Sequence, residues 1–520
     1  MSAPIPGFAR PPEGVQENLG AARRFLARSP YQAVLSPLSA LILAGCAAVG
    51  PNYAPPALPT LPSSQFPASF GAPPAGLDSG AVEVAWWHAF DDPVLTSLVQ
   101  RALAANHDIG VAAVRLEEAK AMLGESRQGF LPRAGTTLGH ENRRRSDVET
   151  PPGQARQIET YRGAVDASWE IDLFGRVRRS VEAAQAQAGS REALLRGVQA
   201  GVAAAVAASW FELQGVESEL AVAADISLSQ RESLVLVERL VRAGSASEFD
   251  RLRAMALVRH VETAVPELER RRAAWANALA ILLGETPQTF KPPAGTPAQE
   301  TLTVRTIAVG DPAALLSRRA DIAAAERNLA AATARIGVET AGLYPDVQVQ
   351  GSIGLVAGSL DAMSGAGALS GLLSPIIRWS FLDTGRVRAR IAASEARTKE
   401  ALIVYDQTVL RALQETDDAF RSYGAAGSTL GLRLLESAAN REVARLARVR
   451  FSAGEGIYLD VLEAERSDFA SRRGLAVART QLRLAVVSIY KALGGGWEIC
   501  TLADQDCDGA HGHSNLRVVK

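Results

Sequence analysis

Cysteine is scarce: Cys46 stands alone and Cys500 and Cys507 form a pair near the C-terminus. None of the three has zinc-ligand spacing. The pair either closes a small disulfide loop in an oxidising compartment or remains as two thiols in a tail. Excess charge is lacking too, with a formal net charge of −1, so no basic footprint argues for a nucleic-acid partner. Of the histidines only His511 and His513 are close-set, beside Asp506 and Asp508, and they read as a solvated tail rather than a metal site. There is no phosphate-cradling glycine loop and no nucleophile elbow, which argues against an enzyme. Hydrophobic residues make up 47% of the chain, yet beyond the N-terminal region no uninterrupted apolar run of 18 or more offers a spanning helix. A membrane crossing by this chain would have to be made of strands.

What the chain does have is repetition. The stretch RFSAGEGIYLDVLEAER at 450–466 has a counterpart, VRAGSASEFDRLR, at 241–253. Gly244 and Asp250 match Gly454 and Asp460 at an offset of 210 residues. Trp169 and Trp379 keep that offset, as do Leu283-Gly284 and Leu493-Gly494, whereas Pro132 and Pro345 are 213 apart. Two copies of one unit of about 210 residues, rather than three or four unrelated domains, account for the length.

In chain order, a Pro-, Gly- and Arg-rich start precedes a short apolar segment, 33–44, shaped like a signal-peptide core. It ends Leu43-Ala44-Gly45-Cys46, which resembles a bacterial lipobox, and Ala47 follows the cysteine. Next come Val-Gly-Pro-Asn-Tyr at 49–53, a Pro-rich run to about Pro74 that suits an extended tether, and Trp86-Trp87-His88-Ala89-Phe90-Asp91-Asp92-Pro93. Together these segments resemble the outer-membrane factors of TolC-type efflux systems, specifically the lipoprotein branch that works with resistance-nodulation-division pumps. The resemblance spans roughly residues 43–497.

Period-two alternation follows each copy's first long helix, which covers 108–128 in one and 321–342 in the other. Val347, Val349, Gly351, Ile353 and Leu355 share one face; Tyr161, Gly163, Val165, Ala167, Trp169 and Ile171 do likewise in the first copy. Alternation over about ten residues fits a membrane strand, although a soluble sandwich strand alternates equally well. Each copy offers one hairpin, at about 134–171 and about 346–381, with Trp379 and Phe381 at the end of the second. Four strands cannot close a membrane barrel, so several chains must share one. The resemblance implies three chains and twelve strands.

Beyond each hairpin the pattern turns helical, over 176–242 and 386–451, and returns over 248–283 and 458–493. A continuous helix of that first length would reach roughly 100 Å, at about 1.5 Å per residue. Val198, Val202, Val206, Trp210, Leu213, Val216 and Leu220 form its apolar stripe, and Pro266 predicts a kink in the first return helix. Ser247-Glu248-Phe249-Asp250 reads as a capping box, while Asp460 enters the second return helix as a carboxylate near a helix N-terminus. In the resembled family this second turn lines the closed periplasmic aperture, and Phe451, Asp460 and Glu463 occupy matching positions. Gly456 stands where some members carry an arginine. The candidate aperture set is Phe451, Glu455, Asp460 and Glu463, with Asp250 from the first copy and Gly244, Gly454 and Gly456 as turn glycines.

The expected fold is a mixed α+β membrane protein: a trimeric transmembrane β-barrel with four strands per chain, continued by a long α-helical periplasmic barrel. Its expected parts are a signal region at 1–45, a lipidated Pro-rich tether and collar at 46–97, a first repeat at 98–284, a connector at 285–311, a second repeat at 312–494 and a tail at 495–520. The resemblance implies a passive exit duct in the outer membrane, lipid-anchored at Cys46, needing no cofactor beyond that covalent lipid. Its implied partners are two further copies, a periplasmic adaptor, an inner-membrane resistance-nodulation-division pump and outer-membrane lipid. A duct for type I protein secretion, or a soluble coiled-coil scaffold with small β-domains, are the competing readings.

Overall fold

The computed structural model describes residues 48–56, 85–293 and 318–494, and the backbones of two short strands, Leu77–Asp78 and Ile307–Ala308, which pair in parallel. Cys46, Cys500 and Cys507 lie outside the described residues. The chain divides into two compact units, one of residues 1–52, 124–183 and 333–395, the other of 53–123, 184–332 and 396–520.

The first unit carries a four-stranded antiparallel sheet in sequence order: β1 Arg133–Arg144, β2 Gln157–Ile171, β3 Asp346–Ala357 and β4 Leu369–Arg378. The two hairpins meet along β2 and β3, where Trp169 faces Val349 and Ala164 faces Gly354. Gly354 is needed there, because a Cβ would sit 2.3 Å from the Gly163 carbonyl oxygen. One face of the sheet presents Leu138, Val165, Ile353, Leu373 and Ile377 to the outside, Leu138 at 82% exposure. On the other face Asp166 accepts from Thr137 at 2.7 Å and from Arg162 at 3.0 Å, and Arg162 also donates to Ser352 at 3.1 Å. A soluble sandwich buries the apolar face and wets the polar one. Here the apolar face is bare, and the outer edges of β1 and β4 pair with no strand among the described residues.

Each copy closes its strands with a tryptophan. Trp169 Nε1–H donates to the Phe130 carbonyl at 3.0 Å, and Trp379 Nε1–H donates to the Leu343 carbonyl at 3.0 Å. Both acceptors lie just past a helix end, so each indole ties a strand end to the preceding helix. The second hairpin is shorter than the alternation suggests: β4 ends at Arg378, leaving Trp379 and Phe381 beyond the ladder and packed against each other at 5.8 Å. Pro375, which has no N–H for a ladder, lies in β4 and keeps that strand at the edge of the single chain's sheet.

Helices dominate the second unit, and some of their ends belong to the first. Helices α1 Pro93–Ala105 and α2 His107–Gln128 open it. Next come α3 Arg176–Arg242, α4 Glu248–Leu282 and α5 Ala320–Ala341, followed by α6 Thr384–Ser452 and α7 Tyr458–Ala492. The 67 residues of α3 run without a break, and its stripe is the core: Val202, Val206, Trp210, Leu213 and Val216 are buried. α3 is apolar enough over one window to cross a membrane by composition, but that apolar stripe is spent on helix packing. Pro266 sits inside α4, and the helix continues through it.

The Trp-Trp segment is a clasp on this core. Trp86 stacks on Tyr490 at 5.1 Å and Phe90 packs on Phe211 at 4.7 Å. Asp92 then does two jobs, capping α1 by accepting from Val94 and Leu95 and accepting from Trp210 Nε1 at 2.7 Å. Helix α1 was not foreseen as a separate element. Only Asn106 separates it from α2, and that side chain caps α2 through the Asp108 and Ile109 amides while donating to the Leu282 carbonyl.

Candidate functional site

The two repeated turns share one backbone construction. Gly244 and Gly454 adopt φ values of 73° and 79°, a left-handed conformation that glycine enters without a Cβ penalty. Behind each, the helix end is closed by paired amide bonds: Ser245 N–H to Leu240 O and Gly244 N–H to Val241 O in the first copy, Glu455 N–H to Arg450 O and Gly454 N–H to Phe451 O in the second. Added Cβ atoms at Gly244 and Gly454 would meet nothing within 4 Å, so the backbone angle alone demands glycine. Gly456 is different. Its φ is not positive and a Cβ would make only ordinary contacts, the nearest being Phe451 N at 3.5 Å, so Gly456 is not a conformationally required turn glycine.

The following helices start differently. Ser247 caps α4 with a full box: its hydroxyl accepts from Asp250 N–H at 3.2 Å, and Asp250 Oδ2 accepts from Ser247 N–H at 3.1 Å. The Ser247 hydroxyl, followed by its backbone N–H, holds the Asp250 carboxyl below the usual aspartate range. Ile457 occupies the equivalent cap position of α7 and offers no side-chain acceptor. Asp460 therefore starts α7 as an exposed acid without a cap hydrogen bond. The carboxylates of Asp460 and Glu463 have no hydrogen-bond or ion-pair partner among the described residues, although the Asp460 N–H donates to the Ile457 carbonyl at 3.2 Å. Glu455 is exposed as well, and its contacts to Arg450 are made by its backbone N–H and carbonyl, not by its carboxylate. Phe451 is half-buried and packs on Tyr458 at 5.3 Å, in a cluster with Val461 and Leu462. Of the candidate aperture residues, three acids are thus unspent, Asp250 is spent on a cap, and Phe451 is spent partly on packing.

One group of residues escaped the sequence reading. Glu465, on α7, is 1% exposed and accepts from Arg448 of α6 at 2.6 Å and from Gln230 and Ser233 of α3 at 2.6 and 3.3 Å. One turn further, Asp468 is also buried, with Arg472 at 3.9 Å, and one of its carboxylate oxygens has no hydrogen-bond partner. Burial is the chief influence on Asp468 and raises its pKa against the lowering effect of nearby arginines. The signal was available: an acid placed among Val461, Leu462, Ala464 and Phe469 on the inward face of a helix must bring partners with it.

Comparison with known proteins gives the same outline. The family described as Outer membrane efflux protein matches residues 98–285 and 312–495. Outer membrane protein OprJ of Pseudomonas aeruginosa is 30% identical over 479 residues, covering 91% of this chain and 97% of that protein. The solvent efflux pump outer membrane protein SrpC of Pseudomonas putida is 30% identical, covering 89% of this chain and 98% of that protein. Among solved structures, the outer-membrane channel OprN superposes with a TM-score of 0.79 at 34% identity, over 86% of this chain and 99% of that one. The open-state MtrE outer membrane channel of Neisseria gonorrhoeae gives 0.77 at 25% identity, over 86% and 98%.

Proposed function

The chain belongs to the outer membrane efflux protein family, and from that membership we propose how its residues serve as the exit duct of a tripartite efflux system. The protein resides in the bacterial outer membrane and extends into the periplasm. Three copies combine their strands into a barrel continued by a helical tunnel, working with a periplasmic adaptor and an inner-membrane pump of the resistance-nodulation-division class. The observation that carries this reading is the sheet: an apolar face left bare, a polar face with internally paired charges, and two open edges. Lipid tolerates no open edge, so the remedy is pairing with neighbouring chains.

Two finer assignments extend this reading. Cys46 carries a covalent lipid, supported by the lipobox-like Leu-Ala-Gly-Cys run. The second turn forms the periplasmic aperture, supported by the unspent acids Glu455, Asp460 and Glu463. Relatives are named for solvent and toluene efflux, which makes small apolar compounds the first cargo to test. The duct predicts a heat-modifiable trimer extractable only with detergent, and discrete conductance steps in planar bilayers. A detergent-independent, soluble species would sink it. Fatty-acid labelling of the wild type, lost in Cys46→Ser, is expected; labelling that persists in the variant would remove the lipid assignment and leave the duct standing.

A further inference from the structure

Within the first unit, residues 48–52 are seated against the start of α3 and the end of α5 by a buried guanidinium. Arg179 is 4% exposed. It donates to the carbonyls of Val49 at 3.1 Å, Gly50 at 3.3 Å and Ala48 at 3.4 Å, and to the Asn52 side-chain oxygen at 2.6 Å. Its remaining nitrogen reaches Glu182 at 2.8 Å. Val49 N–H in turn donates to the Phe174 carbonyl at 3.0 Å. Two glycines clear the seat: a Cβ on Gly175 would fall 2.4 Å from the Ala48 side chain, and one on Gly337 would fall 2.7 Å from the Arg179 stem.

An arginine stays charged at any physiological pH, and a buried cation without acceptors is costly. With residues 48–52 absent, Arg179 would keep one acceptor side chain, Glu182, out of five contacts. The segment and its seat therefore require each other. Phe174, which receives the Val49 amide, stacks on Tyr344 at 4.8 Å, and both lie beside the ends of β2 and β3 where Trp169 is tied. Aromatic rings of this kind favour the water–lipid boundary of a membrane barrel. Cys46 is two residues upstream of Ala48.

We propose that Arg179, with Gly175 and Gly337, forms a receiving site for residues 48–52 that fixes the lipid-bearing N-terminus to the strand–helix junction, so that the anchor and the sheet's aromatic margin are held at one depth. The anchoring half rests on the lipid assignment at Cys46; the seat itself rests on neither that assignment nor conduction.

Hydrogen–deuterium exchange on the full-length, detergent-extracted protein tests it. The Val49 N–H, bonded to the Phe174 carbonyl, should be protected in the wild type. In Arg179→Leu it should exchange at least about tenfold faster while peptides of β2 and β3 are unchanged. Unchanged protection of Val49 in a folded Arg179→Leu protein overturns the seat. Should that variant not assemble, Asn52→Ala removes the 2.6 Å acceptor from an exposed residue outside the helices. Faster exchange confined to the Val49 amide in Asn52→Ala supports the seat, and unchanged exchange overturns it. In Cys46→Ser, protection of the Val49 amide should persist; absence of fatty-acid label on the wild type overturns the anchoring half whatever the exchange shows.

Discussion

At the scale of single residues the second return helix is organised by acids that face inward. Glu465 is fully matched, with donors from two neighbouring helices, whereas Asp468 is buried with one oxygen unpartnered and Arg472 already engaged by Asp225 at 2.5 Å. Burial raises the Asp468 pKa in the folded protein above its unfolded value. The folded state then binds the proton more tightly, so stability falls as pH rises from the ordinary aspartate range through the raised value, and the cost is present in full above it. Asp468→Asn removes a charge that the site holds poorly and leaves Arg472 its Asp225 partner. The trimer's thermal midpoint should rise by about 1–3 °C at neutral pH and not near pH 3, where the wild-type carboxyl is protonated. A midpoint that drops at pH 7 would show that Asp468 is a needed counter-ion. Glu465→Leu should behave oppositely, costing about 1–3 kcal/mol at neutral pH by leaving the buried Gln230 amide without its acceptor, while Arg448 keeps Ser229. These inward acids were unread in the sequence because a helical stripe is recognised by its apolar members, and Glu465 and Asp468 look like gaps in it.

At the scale of elements, the long helices were legible almost to the residue because glycine and cap residues punctuate them. The span 176–242 coincides with α3, and the return helices end one residue short of the expected 283 and 493. The sheet was legible in its alternation, not in its ends: nothing in the pattern separates Trp379, which leaves the ladder to reach Leu343, from the strand residues before it. α1 was missed because a single asparagine divides it from α2. The turns allow a sharper statement than their repetition did. Gly244→Ala and Gly454→Ala force a Cβ into left-handed backbone and should each destabilise by about 1–2 kcal/mol. Gly456→Ala should be neutral or slightly stabilising, since no positive φ is involved. Equal losses at Gly454 and Gly456, measured by local hydrogen exchange in the first turn of α7, would contradict this assignment of roles. Ser247→Ala should loosen the first turn of α4 by about 1 kcal/mol, and that contribution should fade as pH falls through the depressed Asp250 value.

At the scale of the whole molecule, the two turns differ in how they use their acids. In the first, Asp250 is committed to Ser247 and its charge is absorbed in closing α4. In the second, Ile457 leaves the cap empty and three acids, Glu455, Asp460 and Glu463, remain exposed. Gathered from three copies around one axis, carboxylates that neither cap nor pair would repel one another and attract cations, with a reach of about 8–10 Å at physiological salt that lengthens as salt falls. Asp460→Asn combined with Glu463→Gln should therefore lower the cation preference of the duct and change its single-channel conductance, more strongly at low ionic strength than at high. Asp250→Asn should leave permeation unchanged while weakening its own turn. The comparison isolates the aperture from general electrostatics, because each variant removes charge from the end of a return helix but only one removes charge the fold does not use. A reversal potential and conductance that stay the same in the double variant at low salt would confine Asp460 to its favourable interaction with the dipole of α7 and move the closed end of the tunnel elsewhere.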